Sequence, residues 1–107
     1  MHKYYSGTNL KEANALNDTI DSGTPFLTKP TVWWTDSYEK ACSYARKHSK
    51  PAVVEVILDE LPKNFKYYFS VREGKTLSEN FRQWALPKDY LSNEFSCCVE
   101  EVIIHPL

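Results

Sequence analysis

Long apolar runs are absent from this sequence, and their absence limits the classes of protein to which it can belong. The longest apolar stretches without a charged residue are only a few residues long, whereas a membrane-spanning helix needs about 20. The first residues, Met-His-Lys-Tyr-Tyr-Ser-Gly-Thr, contain no apolar core of the kind found in secretory signals. We therefore expect no membrane association and a cytoplasmic location.

Cysteine and histidine are too few and too poorly spaced for a disulfide framework or a metal site. The three cysteines are an odd number, and Cys97 and Cys98 are adjacent, so we expect no disulfide framework and a reducing compartment. His2, His48 and His105 show no metal-ligand spacing. Consecutive cysteines in a strand point to opposite faces, which is poor geometry for shared ligation. We expect no metal.

A large charge of either sign is also missing. Lys and Arg number 13 against 14 Asp and Glu, for a net charge of −1, which argues against nucleic-acid binding by bulk electrostatics. Between Lys63 and Lys88, however, six basic residues face only two acidic ones, with aromatic residues interleaved. This stretch suits a phosphate-bearing ligand with a stackable ring. The alternative is a solvated face over ordinary core aromatics, and a direct nucleic-acid interaction rests on this stretch alone.

Aromatic residues are abundant, at 14%, while glycine occurs only three times in 107 residues. These values predict one compact domain, residues 1–107, with a core built from large rings. Apolar alternation predicts strands at His2–Ser6, around Thr31–Thr35, and at Pro51–Asp59, Phe65–Val71 and Cys97–His105. Capping patterns predict helices that begin at Asn9, at Asp36 and at Thr76. We expect an α+β domain with short helices and a small mixed or antiparallel sheet.

Two adjacent tryptophans lie in the second predicted strand. Trp33 and Trp34 point to opposite faces of a strand, so one indole can enter the core while the other lines a cleft. Asp36 and Glu39 form a capping box for the helix that follows. Core packing is the ordinary role of such aromatics. Our interpretation is that Trp34 packs in the core and Trp33 faces a ligand.

Three segments, in this order, resemble the signature segments of the ADP-ribosyltransferase fold. They are Tyr-Tyr-Ser-Gly-Thr at residues 4–8, Val-Trp-Trp-Thr at 32–35 and Gln-Trp-Ala-Leu-Pro at 83–87. The family includes rifampin ADP-ribosyltransferases and DNA-modifying toxins of toxin–antitoxin systems. The likeness covers most of the chain in order and spacing. It implies a domain that uses NAD as its substrate and transfers ADP-ribose to a protein, nucleic-acid or small-molecule acceptor.

The resemblance assigns ligand-binding roles residue by residue. In the family, the backbone of a glycine at the end of the first strand holds the nicotinamide amide, and a tyrosine in the second segment stacks on the ring. Gly7 and Thr8 match the first segment, while Ser6 replaces its usual histidine. Trp33 replaces the stacking tyrosine and Thr35 matches the threonine after it. A tryptophan can stack on a pyridinium at least as well as a tyrosine.

The third segment departs from the family at the catalytic position. Family members often carry a glutamate there, which stabilises the positive charge that develops on the ribose; here that position is Gln83. An amide cannot supply negative charge to a developing cation. Glu79, one helical turn earlier in the predicted helix, is the alternative, although a capping role also explains it. The resemblance places the diphosphate near Arg72, Lys75 or Arg82.

Two functional hypotheses follow. The first is an NAD-dependent mono-ADP-ribosyltransferase that modifies a macromolecular or small-molecule acceptor. The second is a non-catalytic protein-binding inhibitor, for example phage- or plasmid-encoded, on a degenerate transferase-like scaffold. The replacements at Ser6 and Gln83 favour the second hypothesis, and the ordered trio of segments favours the first.

Overall fold

Six strands and a few helical segments make up the fold. The computed structural model describes residues 1–23, 27, 29–65, 69–75 and 80–107, with residues 69–75, 80 and 81 described by their backbone alone. The strands are β1 His2–Asn9, β2 Thr31–Thr35, β3 Pro51–Leu58, β4 Phe69–Lys75, β5 Asn80–Pro87 and β6 Val99–Pro106. The helices are α1 Leu10–Ser22, α2 Tyr38–Ala45 and α3 Lys88–Tyr90, the last followed by a π-helical turn at Leu91–Phe95 and a 3₁₀ turn at Ser96–Cys98.

All six strands belong to one sheet with the order β4-β5-β2-β1-β3-β6. Every neighbouring pair is antiparallel. The α+β class is therefore confirmed, and of the two sheet types expected the antiparallel one is found. The Cα radius of gyration, 12.7 Å, is close to the roughly 13 Å expected when a chain of this length folds as one compact unit. No helix in the described part of the chain has the length and apolarity needed to cross a membrane.

Strand β1 pairs very differently with its two neighbours. Its partner residues in β3 run without interruption from His2 opposite Leu58 to Asn9 opposite Pro51. With β2, its ladder contains the single pair Tyr5–Thr35. Among the described residues, β1 is therefore paired with β3 along its whole length and with β2 at a single position. We call the first the zipped edge of β1 and the second its open edge.

One face of the sheet holds the main apolar core. Because side chains alternate along a strand, Tyr4, Trp34, Val56 and Trp84 all point to this face, and each is at most 8% exposed. Helix α1 and the π-helical turn cover these side chains. They contribute the buried residues Ala13, Leu16, Ile20, Leu91 and Phe95. This face uses the large rings that the composition predicts.

Helix α2 lies on the opposite face and packs much closer to the sheet. Its buried residues Ala41, Cys42 and Ala45 contact Val53, with Tyr5 against them. Small side chains allow this approach, and Gly7 lies directly beneath the helix. A Cβ at Gly7 would overlap the carbonyl oxygen of Ala41. The fold therefore requires glycine at this position, whatever the cleft binds.

The helix caps are partly as predicted. Asn9 caps α1, because its Oδ1 accepts from the Glu12 N–H at 2.8 Å. The predicted capping by Asp36 is wrong: Ser37 caps α2, and its Oγ accepts from the Lys40 N–H at 3.1 Å. The physical reason is that Asp36 has another partner, since its Oδ1 accepts from the backbone N–H of Arg82 in β5 at 2.7 Å.

The predicted third helix is wrong where the structure describes it. Thr76–Glu79 lies outside the described residues, and Asn80–Pro87 forms strand β5 rather than a helix. Trp84 faces Trp34 across the β2–β5 ladder, and Leu86 faces Val32. Pairing with β2 buries both side chains, and this tertiary contact outweighs the local helical pattern.

Candidate ligand-binding cleft

A cavity of about 370 Å³ lies where β1 and β2 separate. Its volume falls in the range of small-molecule sites. Strands β1 and β2 form its walls, α2 and the residues after it cover one side, and Leu16 and Leu27 close the apolar end. The cleft therefore follows directly from the short β1–β2 ladder, which leaves space between two strands of one sheet.

Six of the eight predicted site residues line this cleft. They are Ser6, Gly7, Thr8, Trp33, Thr35 and Gln83. Arg72 lies on β4 and is described by its backbone alone, and Glu79 lies outside the described residues. The structure thus brings together the three segments that are far apart in sequence.

Gly7 lies at the open edge of β1. It pairs with Val53 of β3 and has no partner residue in the β2 ladder. A strand edge of this kind presents backbone N–H and C=O groups to whatever lies beside it. The structure also explains the glycine by the closeness of α2, so its identity alone does not indicate a ligand.

Ser6 joins the two strands where the ladder ends. Its hydroxyl donates to the backbone carbonyl oxygen of Trp33 at 2.8 Å, and its side chain is only 4% exposed. This proton is therefore used within the protein. Ser6 therefore holds the two strands together beside the cleft, and its hydroxyl proton is not available to a ligand.

The two tryptophans divide as the strand geometry predicts. Trp33 is 44% exposed, whereas Trp34 is 1% exposed and packs on Phe95 with ring centroids 5.3 Å apart. Both contribute atoms to the cleft wall. The exposure of Trp34 and its contact with Phe95 identify it as a core packing residue, although its Nε1–H is buried without a hydrogen-bond partner in the described part of the chain.

Gln83 occupies a buried polar position opposite Thr35. It is 7% exposed, and its Oε1 accepts from the Tyr44 hydroxyl of α2 at 2.8 Å. Thr35 in turn accepts from the Ser37 N–H at 3.1 Å through its Oγ1. These bonds fix both side chains and tie β5 to α2. The position is polar, rigid and neutral.

The cleft carries basic groups that the sequence reasoning missed. Lys29, Lys47 and His48 line it, and among the described lining residues Glu12 has the only carboxylate. Two ammonium groups lie over the Tyr44 ring, with Lys40 Nζ at 4.7 Å and Lys47 Nζ at 5.4 Å from its centroid. The signal is present in the sequence as the Arg46-Lys47-His48 run, a basic cluster that also suits the C-terminal end of a helix.

Arg82, which the sequence reasoning placed near a diphosphate, does not line this cleft. It precedes Gln83 in β5 and therefore points to the other face of the sheet, where it lines a second cavity. In the described part of the chain, no group of three or more His, Cys, Asp or Glu side chains is arranged to hold a metal ion.

Comparisons with known proteins give no further indication of the site's role, because no family model, curated protein or solved structure matches the chain.

Proposed function

We propose that the cleft binds NAD and that the protein acts as a mono-ADP-ribosyltransferase-like protein on a macromolecular or small-molecule acceptor. The observation that supports this proposal is the convergence of Gly7, Trp33 and Gln83 on one cavity. Nothing in local sequence brings these three residues together. An ADP-ribosyltransferase-like fold is part of the same proposal.

The cleft offers one feature for each part of a dinucleotide. The half-exposed face of Trp33 suits stacking on the cationic nicotinamide ring. The open edge of β1 at Gly7 suits hydrogen bonds to the nicotinamide amide. Lys29, Lys47 and His48 supply the positive charge that a diphosphate requires. The apolar end, at Leu16 and Leu27, is left for an uncharged part of the ligand.

Transfer of ADP-ribose requires more than binding. The bond between the nicotinamide nitrogen and the ribose carbon breaks, and its electron pair leaves with neutral nicotinamide. An acceptor atom bonds to the ribose carbon and releases its proton to solvent. Positive charge develops on the ribose during this step, and a nearby carboxylate stabilises it. Gln83 supplies only an amide dipole. Glu12 is therefore our candidate for the carboxylate among the described lining residues.

The second candidate function is the non-catalytic, protein-binding inhibitor. It is favoured by Ser6 and Gln83, because both side chains are engaged in hydrogen bonds within the protein. In this alternative the cleft is a remnant of the scaffold, and binding uses another surface. Such a protein forms a stable complex that survives Ser6→Ala and Gln83→Ala.

Calorimetric titration with NAD tests the proposal. We expect saturable binding to the parent chain and at least a tenfold loss of affinity in Trp33→Ala, because the stacking surface is removed. Tyr38→Ala is the matched control: Tyr38 is 40% exposed, similar to Trp33, and does not line the cleft. Its NAD affinity should stay within twofold of the parent. No heat at millimolar NAD, or equal affinity in the parent and Trp33→Ala, would overturn the proposal.

A further inference from the structure

A second cavity, of about 580 Å³, shares no lining residue with the cleft in the described part of the chain. Three cleft-lining residues each have a sequence neighbour in this second cavity: Tyr4 beside Tyr5, Asp36 beside Thr35, and Arg82 beside Gln83. Since neighbours in a strand point to opposite faces, the side chains of Tyr4 and Arg82 turn away from those of Tyr5 and Gln83. The second cavity is therefore a separate site.

The floor of the second cavity is a continuous aromatic surface. Tyr4, Phe65 and Trp84 contact one another with ring centroids 5.0–5.3 Å apart. At these distances no cation can enter between the rings, so they do not form a cage for a quaternary ammonium group. The exposed Leu61 extends the apolar surface. This floor suits a flat apolar group lying against it.

The Tyr4 hydroxyl gives this floor one polar feature. Tyr4 is 8% exposed, lines the cavity, and has no hydrogen-bond partner in the described part of the chain. The hydroxyl oxygen is not sealed inside the protein, since the only fully buried unpaired side-chain polar atom among the described residues is Trp34 Nε1, so it is accessible from the cavity. Burial and the Asp36 carboxylate raise the pKa of Tyr4, with Arg82 acting in the opposite sense. The hydroxyl is therefore a proton donor at neutral pH and can donate to an acceptor in the cavity.

Positive charge dominates the rim. The Arg82 side chain is exposed and makes no salt bridge in the described part of the chain, and Lys3 also lines the cavity. The opposing carboxylate, Asp36, already accepts the Arg82 backbone N–H at 2.7 Å. Lys3 Nζ lies 3.9 Å from Glu55 Oε2. Arg82 is therefore the cation best placed to hold an anion, and its guanidinium suits a carboxylate or a phosphate.

We propose that the second cavity is a binding site for a small aromatic anion, whose ring lies on the Leu61–Phe65–Trp84 surface and whose anionic group contacts Arg82. A polar atom of this ligand accepts a hydrogen bond from the Tyr4 hydroxyl. The proposal stands independently of NAD binding, because it uses none of the described residues that line the cleft.

Titration with phenyl phosphate and with benzoate, followed by two-dimensional NMR and calorimetry, tests this site. We expect the Trp84 indole signal to shift with one or both probes, while the Trp33 signal stays in place. Arg82→Gln should weaken binding at least fivefold because it removes the charge. Tyr4→Phe should weaken it about threefold or more because it removes only the donor. Trp33→Ala should leave the affinity unchanged.

Inorganic phosphate and phenol complete the design. Inorganic phosphate has the anionic group without the ring, and phenol has the ring without the anionic group. Each should bind at least tenfold more weakly than the better of the two aromatic anions. The proposal is overturned if neither phenyl phosphate nor benzoate binds at about 10 mM, which is a generous limit for a ligand of this size. It is also overturned if inorganic phosphate binds as well as phenyl phosphate, or if Arg82→Gln binds the aromatic anions as tightly as the parent. Thermal unfolding of both variants shows whether they retain the fold.

Discussion

Strand β1 has two edges, and they show how one sheet supplies both a rigid framework and a binding cleft. Towards β3, every residue from His2 to Asn9 has a partner, and the adjoining side chains are almost entirely buried. Towards β2, the ladder contains Tyr5 and Thr35 alone. The zipped edge fixes where β1 lies, and the open edge leaves a cavity of about 370 Å³ beside it.

The side chains beside the two edges also differ in polarity. Beside the zipped edge, Val54 and Val56 are fully buried among apolar side chains, and the buried Glu55 is bonded to His105 at 2.8 Å. At the open edge, two buried polar side chains are bonded within the protein: Ser6 donates to the Trp33 carbonyl, and Gln83 accepts from the Tyr44 hydroxyl. These hydrogen bonds give partners to polar groups at the point where the ladder between β1 and β2 ends. The difference indicates that the opening is a built feature of the sheet.

The largest expected effect is a loss of stability where α2 packs on the zipped edge. Gly7→Ala should lower the free energy of unfolding by about 3 kcal/mol, because the added methyl overlaps the Ala41 carbonyl oxygen. Gly23→Ala is the matched control. The φ of Gly23 is 71°, and the atom nearest to an added Cβ is Ser92 O at 3.4 Å, so only the left-handed backbone costs stability, by about 1 kcal/mol. Urea unfolding of both variants measures the difference, and equal losses would contradict the packing account.

The next effect concerns the chemistry at the open edge. Gln83→Glu places a carboxylate at the position that the family resemblance assigns to catalysis, and should raise nicotinamide release from NAD by about a hundredfold. Ser43→Glu adds the same charge on the exposed side of α2, outside the cleft, and should leave the rate unchanged. If Gln83→Glu binds NAD normally but releases no more nicotinamide than the parent, the non-catalytic alternative gains support.

The smallest effect tests the side chain that joins the two strands. Ser6→Ala should lower the free energy of unfolding by about 1 kcal/mol, because the part-buried hydrogen bond from the Ser6 hydroxyl to the Trp33 carbonyl is lost. Ser22→Ala removes a hydroxyl bond of the same kind, to Asp18 O at 2.7 Å, at an exposed position, where water replaces it. We expect almost no change there. If chemical denaturation shows that Ser6→Ala loses no more stability than Ser22→Ala, the hydrogen bond between the strands contributes no more than an exposed one, and this prediction is wrong.

Much of the zipped edge could be predicted from sequence, since its pattern is local. The apolar run at 51–58 gave a strand almost to the residue, and Asn9 with Glu12 gave a true cap. Adjacent Trp33 and Trp34 gave a correct division between exposed and buried rings, because side chains in a strand alternate.

The open edge could be predicted only in part, because it depends on contacts between distant segments. Asp36 has the sequence of a cap but bonds to Arg82 in β5, and the residues after position 79 have a helical pattern but pair with β2. The basic groups Lys29 and Lys47 reach the cleft from a loop and a helix end. No local spacing indicates such placements, so the charge of the cleft was missed.

A two-dimensional NMR titration with NAD tests the central claim most directly. The amide signals of Gly7 and Thr8 and the indole signal of Trp33 should move together and saturate, because all three residues line the open edge of β1. The signals of Val54 and Val56 at the zipped edge should stay in place. The account is contradicted if no signal moves at millimolar NAD, or if the shifts cluster around Trp84 and Arg82 on the other face of the sheet.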